Sequence, residues 1–230
     1  MRPKKLCMAL VFVILVSVIN SCAGIPFFSG ARQEFEQGLA KFNVGKYEEA
    51  IPHFSKATEL DSEYAEAYLY LGRSYLSLQR WSEAIPPLRT AYRLSPGETR
   101  KEALNLLFDA VMGAAGHEFR NGNFRSSVEY LKEAIKLAPS SGRAKTELMK
   151  SLMALGGKSI SDGNLKDAIS AYKDILELSP NYFDAYLGIA KAFFKSGDYE
   201  RALEAAKKAL ELHPSSDEAM SLIRQLLLRR

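Results

Sequence analysis

Alanine returns at a fixed interval along this chain: Ala50 and Ala84 lie 34 residues apart, and so do Ala168 and Ala202. A period of that length marks a repeat architecture, in which each unit is one supersecondary element too small to bury its own core. On a 34-residue frame the segment 65–98 places Tyr68 at position 4, Leu71 and Gly72 at 7 and 8, Tyr75 at 11, Ala84 at 20, Leu88 at 24, Ala91 at 27 and Pro96 at 32. Small residues at positions 8, 20 and 27 let two antiparallel helices approach closely, and the large residues between them fill the surrounding space. Gly45, Gly122, Gly163 and Gly197 mark the turns between helices, because a helix end favours the left-handed backbone that glycine adopts freely.

This pattern resembles the tetratricopeptide repeat (TPR). Five units follow from the frame, 31–64, 65–98, 99–141, 142–182 and 183–216. Gly38, Ala50, Phe54 and Ala57 carry the first unit. Gly156, Ala168, Tyr172 and Pro180 carry the fourth, and Tyr186, Ala190, Phe193, Ala202 and Pro214 the fifth. The third diverges most, with Ala115 in the glycine position and Ser127 in the alanine position. The resemblance implies an all-α solenoid of about five helix-turn-helix repeats, and residues 217–230 read as a C-terminal capping helix. Its face of Met220, Ile223 and Leu227 would complete the stack, leaving Asp217, Glu218, Arg224, Arg229 and Arg230 to water.

Two spacings break the period: Ser127 stands 43 residues after Ala84, and Ala168 stands 41 after Ser127. The stretch Thr99–Leu107 lacks proline and has a helical composition, so the surplus predicts first helices lengthened by about 10 to 14 Å, at roughly 1.5 Å per residue. Single long helices over 98–120 and 143–161, projecting as a ridge, are the expectation.

The amino terminus carries an address. Arg2, Lys4 and Lys5 precede an apolar run from Leu6 to Val18, followed by Ile19-Asn20-Ser21-Cys22. That is the layout of a secretory signal, and the run is shorter than the ~20 residues a membrane span needs. The last four residues resemble a bacterial lipobox, which implies a signal peptide of residues 1–21 and acylation of Cys22. Ordinary cleavage after Ala23 is the alternative. Residues 22–30 then read as the lipidated cysteine and a short tether, apolar at Ile25, Phe27 and Phe28, reaching at most ~28 Å. The lipoprotein resemblance implies a place in the bacterial cell envelope, on the periplasmic face of the outer membrane where one exists.

Charge and chemistry narrow the function. Without Arg2, Lys4 and Lys5, 28 Lys+Arg face 27 Asp+Glu, which removes the electrostatic basis for nucleic-acid binding. Cys7 lies in the targeting segment and Cys22 is the lipid site, leaving no cysteine metal site in the repeats. His53, His117 and His213 fall in different units without metal spacing and read as surface or packing residues. No catalytic constellation, cofactor or small-molecule substrate is implied.

In the family, certain first-helix positions line a groove that holds a peptide or partner helix. Carried over, they are Phe35, Leu39 and Phe42 in the first unit, and Leu69, Tyr70, Arg73 and Leu76 in the second. Met112, Phe119, Arg120, Met153 and Ile160 follow in the third and fourth, and Leu187, Lys191, Phe194 and Lys195 in the fifth. Phe42, Phe119 and Phe194 could equally pack on the neighbouring helix. The resemblance implies a non-enzymatic, membrane-anchored scaffold, similar in layout to the TPR lipoproteins of pilus secretins or outer-membrane assembly. An accessory subunit recruiting a peptidoglycan hydrolase is the alternative.

Overall fold

The computed structural model describes residues 26–229. Cys22 and the targeting segment lie outside the described residues. Eleven helices and no strands are present among them. Two compact units, one ending at Ala110 and the other beginning at Val111, are described in turn.

The first unit holds α1 (Pro26–Asn43), α2 (Tyr47–Leu60), α3 (Ala65–Ser77), α4 (Trp81–Leu94) and the opening turns of α5 (Gly97–Arg120). The second holds the rest of α5, α6 (Phe124–Leu137), α7 (Gly142–Ser161), α8 (Leu165–Leu178), α9 (Phe183–Ser196), α10 (Tyr199–Leu212) and α11 (Asp217–Leu227). Consecutive helices pack pairwise from α1 to α4 in the first unit and from α6 to α11 in the second, and the fold is an all-α solenoid of helix-turn-helix repeats. Helix α1 begins at Pro26, so the carboxyl half of the stretch read as a tether is helical. Proline suits the first turn of a helix, where its missing N–H would be unpaired anyway.

The surplus residues in the third and fourth repeats are helical: α5 has 24 residues and α7 has 20. They do not stand out as a bare ridge, since the added turns bury Ala103 and Leu107 in α5, and Ala144 and Leu148 in α7. In each case the apolar side chains on one face of the extra turns are the buried ones.

All five turns within repeats share one construction. The N–H after the left-handed residue donates to a carbonyl five residues back: Lys46 to Lys41, Arg80 to Tyr75, Asn123 to Glu118, Asn164 to Ser159 and Asp198 to Phe193, at 2.8 to 3.0 Å. This closes the helix end and pairs carbonyls that would otherwise be orphaned. In four repeats the left-handed residue is glycine, with φ of 76° to 80°, but in the second it is Gln79, with φ of 56°.

The close approaches centre on Tyr172 of α8, which is buried. A Cβ on Gly156 of α7 would stand 2.6 Å from its ring, and one on Gly188 of α9 only 2.4 Å. One ring thus fills the notch left by two glycines and ties the fourth repeat to the fifth. Burial pushes its phenol pKa up. Where Ser127 replaces the usual alanine, its hydroxyl meets that of Ser151 at 3.0 Å in the core, so each buried group has a partner.

The capping helix packs by a different face from the one expected. Ala219, Leu222 and Leu226 are buried, whereas Met220 and Leu227 are 37% and 56% exposed. Met220, Ile223 and Leu227 occupy frame positions 4, 7 and 11, which in a complete repeat face its own second helix. Helix α11 has no such partner among the described residues.

Two substitutions test this packing. Gln79→Gly should raise the melting temperature, because a left-handed non-glycine residue costs ~1 to 2 kcal/mol, partly offset by the chain entropy of glycine. Gly188→Ala should destabilise by about 1 to 3 kcal/mol through overpacking against Tyr172. Thermal melts followed by circular dichroism read both.

Candidate interaction surfaces

In the first unit the first-helix residues form an aromatic plug. Phe35 is buried, with its ring centroid 5.6 Å from Phe54, 5.0 Å from Tyr64 and 5.5 Å from Tyr70. Phe42 meets Tyr47 and Tyr70 edge-on at 5.1 and 5.2 Å, and Leu39 packs against the same cluster. The Arg73 guanidinium lies 5.0 Å over the Tyr70 ring and pairs with Glu102 on α5. Leu69 is buried and Leu76 half-buried. An edge-to-face aromatic cluster of this kind adds ~0.5 to 1.5 kcal/mol per pair beyond its area, so most of these side chains hold the unit together.

The second unit is more open. Met153, Ile160, Phe119 and Phe194 are half-buried, and Arg120 and Lys195 are exposed. Phe119 packs on Phe124 at 5.2 Å, with the Lys150 ammonium 4.7 Å from its centroid. Phe194 packs on Tyr199 at 5.9 Å, under Arg229 at 5.1 Å. Lys195 donates weakly to the Ile160 carbonyl at 3.4 Å, and Lys191 pairs with Glu218 at 2.7 Å.

The assigned groove is therefore corrected in two ways. Phe35, Leu69, Met112 and Leu187, all at frame position 5, are 5%, 3%, 8% and 4% exposed, and no partner can reach them. Arg73 and Lys191 are neutralised by carboxylates within the fold. The rings at position 12 do pack within the fold: Phe42, Phe119 and Phe194 each rest on the aromatic that opens the following helix.

Sequence reasoning overlooked the second-helix side. A cleft of about 890 Å³ lies between α6 and α8, floored by Leu148 and Leu152 of α7. Leu152 stands at the frame position that Tyr68 and Tyr186 hold in the second and fifth repeats, so a smaller side chain forms the floor here. That substitution was the available signal. A cleft of about 680 Å³ follows between α8 and α10, floored by Tyr186, Ile189 and Phe193.

The histidines occupy packing or surface positions. His53 Nδ1 lies 2.8 Å from Glu34, His213 packs on Phe183 at 5.2 Å, and His117 is an exposed neighbour of Asn121. Among the described residues no cluster of His, Cys, Asp or Glu could hold a metal ion, and no helix is long and apolar enough to cross a membrane.

Two family models, each described as tetratricopeptide repeat, match residues 35–99 and 159–226. The chain belongs to the tetratricopeptide repeat family. A TPR repeats protein from Bacteroides fragilis is similar in fold, with a TM-score of 0.56 and 16% identity, over 87% of this chain and 99% of its own. The BBSome complex member BBS4 homolog of Drosophila melanogaster is 24% identical over 195 residues, 85% of this TPR chain and 32% of that protein. Anaphase-promoting complex subunit 6 of Arabidopsis thaliana is 36% identical over 69 residues, 30% of this chain and 13% of that protein. The TPR chain thus spans a third or less of the length of these two curated relatives. The fold supports a protein–protein interaction scaffold.

Because Tyr70 touches Phe35, Phe42 and Phe54, Tyr70→Ala should act first on stability. A loss of roughly 3 kcal/mol is expected, as for other large-to-small aromatic truncations, read as a lower denaturation midpoint. An unchanged midpoint would mean that the plug does not hold the unit.

Proposed function

We propose that this protein is a non-enzymatic TPR scaffold, anchored by a lipid on Cys22 in a bacterial cell envelope, that holds a protein or peptide partner on the first-helix side of its second unit. One observation carries the binding surface: Phe119, Arg120, Met153, Ile160, Phe194 and Lys195 combine accessible apolar area with two exposed cations. Aromatic and arginine side chains supply the anchors at which binding energy concentrates, and half-buried rings already fixed by packing lose little entropy on binding. The two curated relatives are, by name, members of multiprotein complexes, which agrees with an assembly role. Assembly of an envelope machine of the pilus-secretin or outer-membrane type is the specific reading.

The anchor rests on Arg2, Lys4 and Lys5, the apolar run and Ser21-Cys22. Acylation would tie the repeats to the bilayer through a few residues only. A single acyl chain binds membranes marginally, whereas two chains hold stably, and a diacylglycerol on the cysteine supplies two.

Two experiments test the reading. Cys22→Ser should move the protein from the membrane fraction to the soluble fraction, and retention through a high-salt wash would contradict lipid anchoring. Arg120→Glu with Lys195→Glu should weaken binding of the partner recovered by crosslinking at least tenfold, ~1.4 kcal/mol, while leaving circular dichroism unchanged. Undiminished affinity would place the working surface elsewhere.

A further inference from the structure

We propose that the exposed end of α11 docks into the α6–α8 cleft of a second copy of this chain, so that the scaffold associates head to tail. The cleft has an apolar floor and a predominantly acidic rim. Leu148 and Leu152 lie at the bottom and Leu178, 41% exposed, at one edge. Four carboxylates and two lysines line it. One of those lysines, Lys132, crosses the cleft to Asp174 at 2.8 Å. That hydrogen bond raises its pKa, as do the nearby charges of Glu129 and Glu177, against the opposing effect of burial. Lys132 is already matched by Asp174, and among the other lining charges Glu129, Glu133 and Glu177 outnumber Lys136, so the surplus that an incoming group meets is negative.

The end of α11 has the opposite character. Leu227 and Leu228 are 56% and 83% exposed, and Arg224 is exposed beside them. An apolar tip flanked by a cation matches an apolar floor flanked by carboxylates, and charge complementarity of this kind sets partner and register. The neighbouring cleft makes the choice specific. Between α8 and α10 the rim holds Lys173, Arg201, Lys207 and Lys208 against two glutamates; with Arg201 paired to Asp198 and Lys208 to Glu211, Lys173 and Lys207 outnumber Glu204, and the rim disfavours the same tip.

Docked head to tail, without the return contact that would close a twofold dimer, tip and cleft make a heterologous interface, which propagates into chains or rings. The end of one helix covers less than the ~800 Å² per partner typical of a stable interface. The association is therefore concentration-dependent, and added salt weakens it.

Native mass spectrometry of the full chain, released from detergent micelles, tests the proposal with two exposed-surface variants. The tip variant is Leu227→Asp with Leu228→Asp, and the cleft variant is Glu129→Lys with Glu177→Lys. Glutamine replaces lysine in the latter if circular dichroism shows a folding defect. The unaltered chain should give a ladder of dimer, trimer and higher species, and each variant alone should be at least tenfold depleted in all of them. An equal mixture of the two variants should restore dimer and stop there. The intact cleft of one accepts the intact tip of the other, and the remaining pair of surfaces is disabled. A monomeric unaltered chain at the highest workable concentration, a persistent ladder in either variant, or a mixture without dimer would each overturn the proposal.

Discussion

The fold depends on how closely two helices can approach where a side chain is missing. A Cβ on Gly72 would lie 2.4 Å from Leu88, and Gly156 and Gly188 leave a shared notch that the Tyr172 ring fills. Dispersion and apolar burial reward that contact only while the glycines remain bare. Because each repeat is stabilised by its own pair and by its neighbours, these few contacts set the packing within each unit. That packing in turn decides which frame positions face a neighbour and which face water.

Two faces with different chemistry result in the second unit. The first-helix side offers half-buried rings and exposed cations, with Phe119 and Phe194 pinned between an aromatic and a basic side chain. The second-helix side offers clefts whose rims change sign from one repeat to the next, acidic between α6 and α8 and basic between α8 and α10. A scaffold with two such faces can hold a partner on one and associate through the other. Within the first unit the corresponding first-helix residues are largely spent on the Phe35, Phe42, Phe54 and Tyr70 cluster.

The repeat frame was legible because its spacing reports sterics directly: alanine or glycine at a fixed phase means close helices. The lengthened α5 and α7 were legible too, since Thr99–Leu107 could form little other than helix. Depth was not. Phe35 and Leu187 sit at positions that point toward a groove, but neighbouring side chains overlie them, and a linear frame gives direction without burial. The capping helix shows the same limit, since Met220, Ile223 and Leu227 form the better apolar stripe on paper. Ala219, Leu222 and Leu226 are buried instead, because among the described residues α11 packs on the preceding repeat. Gln79 hid the second turn, since glycine was the signal and a non-glycine residue adopts the same backbone there. The Ser127–Ser151 bond was invisible because its two partners are 24 residues apart.

Lysine-directed crosslinking in cells, with peptide-level mass spectrometry, tests the central claim of a partner-binding first-helix face most directly. Lys150, Lys191 and Lys195 lie on first helices of the second unit, and Lys173, Lys207 and Lys208 on second helices. The account predicts that crosslinks to other proteins concentrate at Lys150, Lys191 and Lys195. Crosslinks confined to Lys173, Lys207 and Lys208 would contradict it and move partner recognition to the second-helix side.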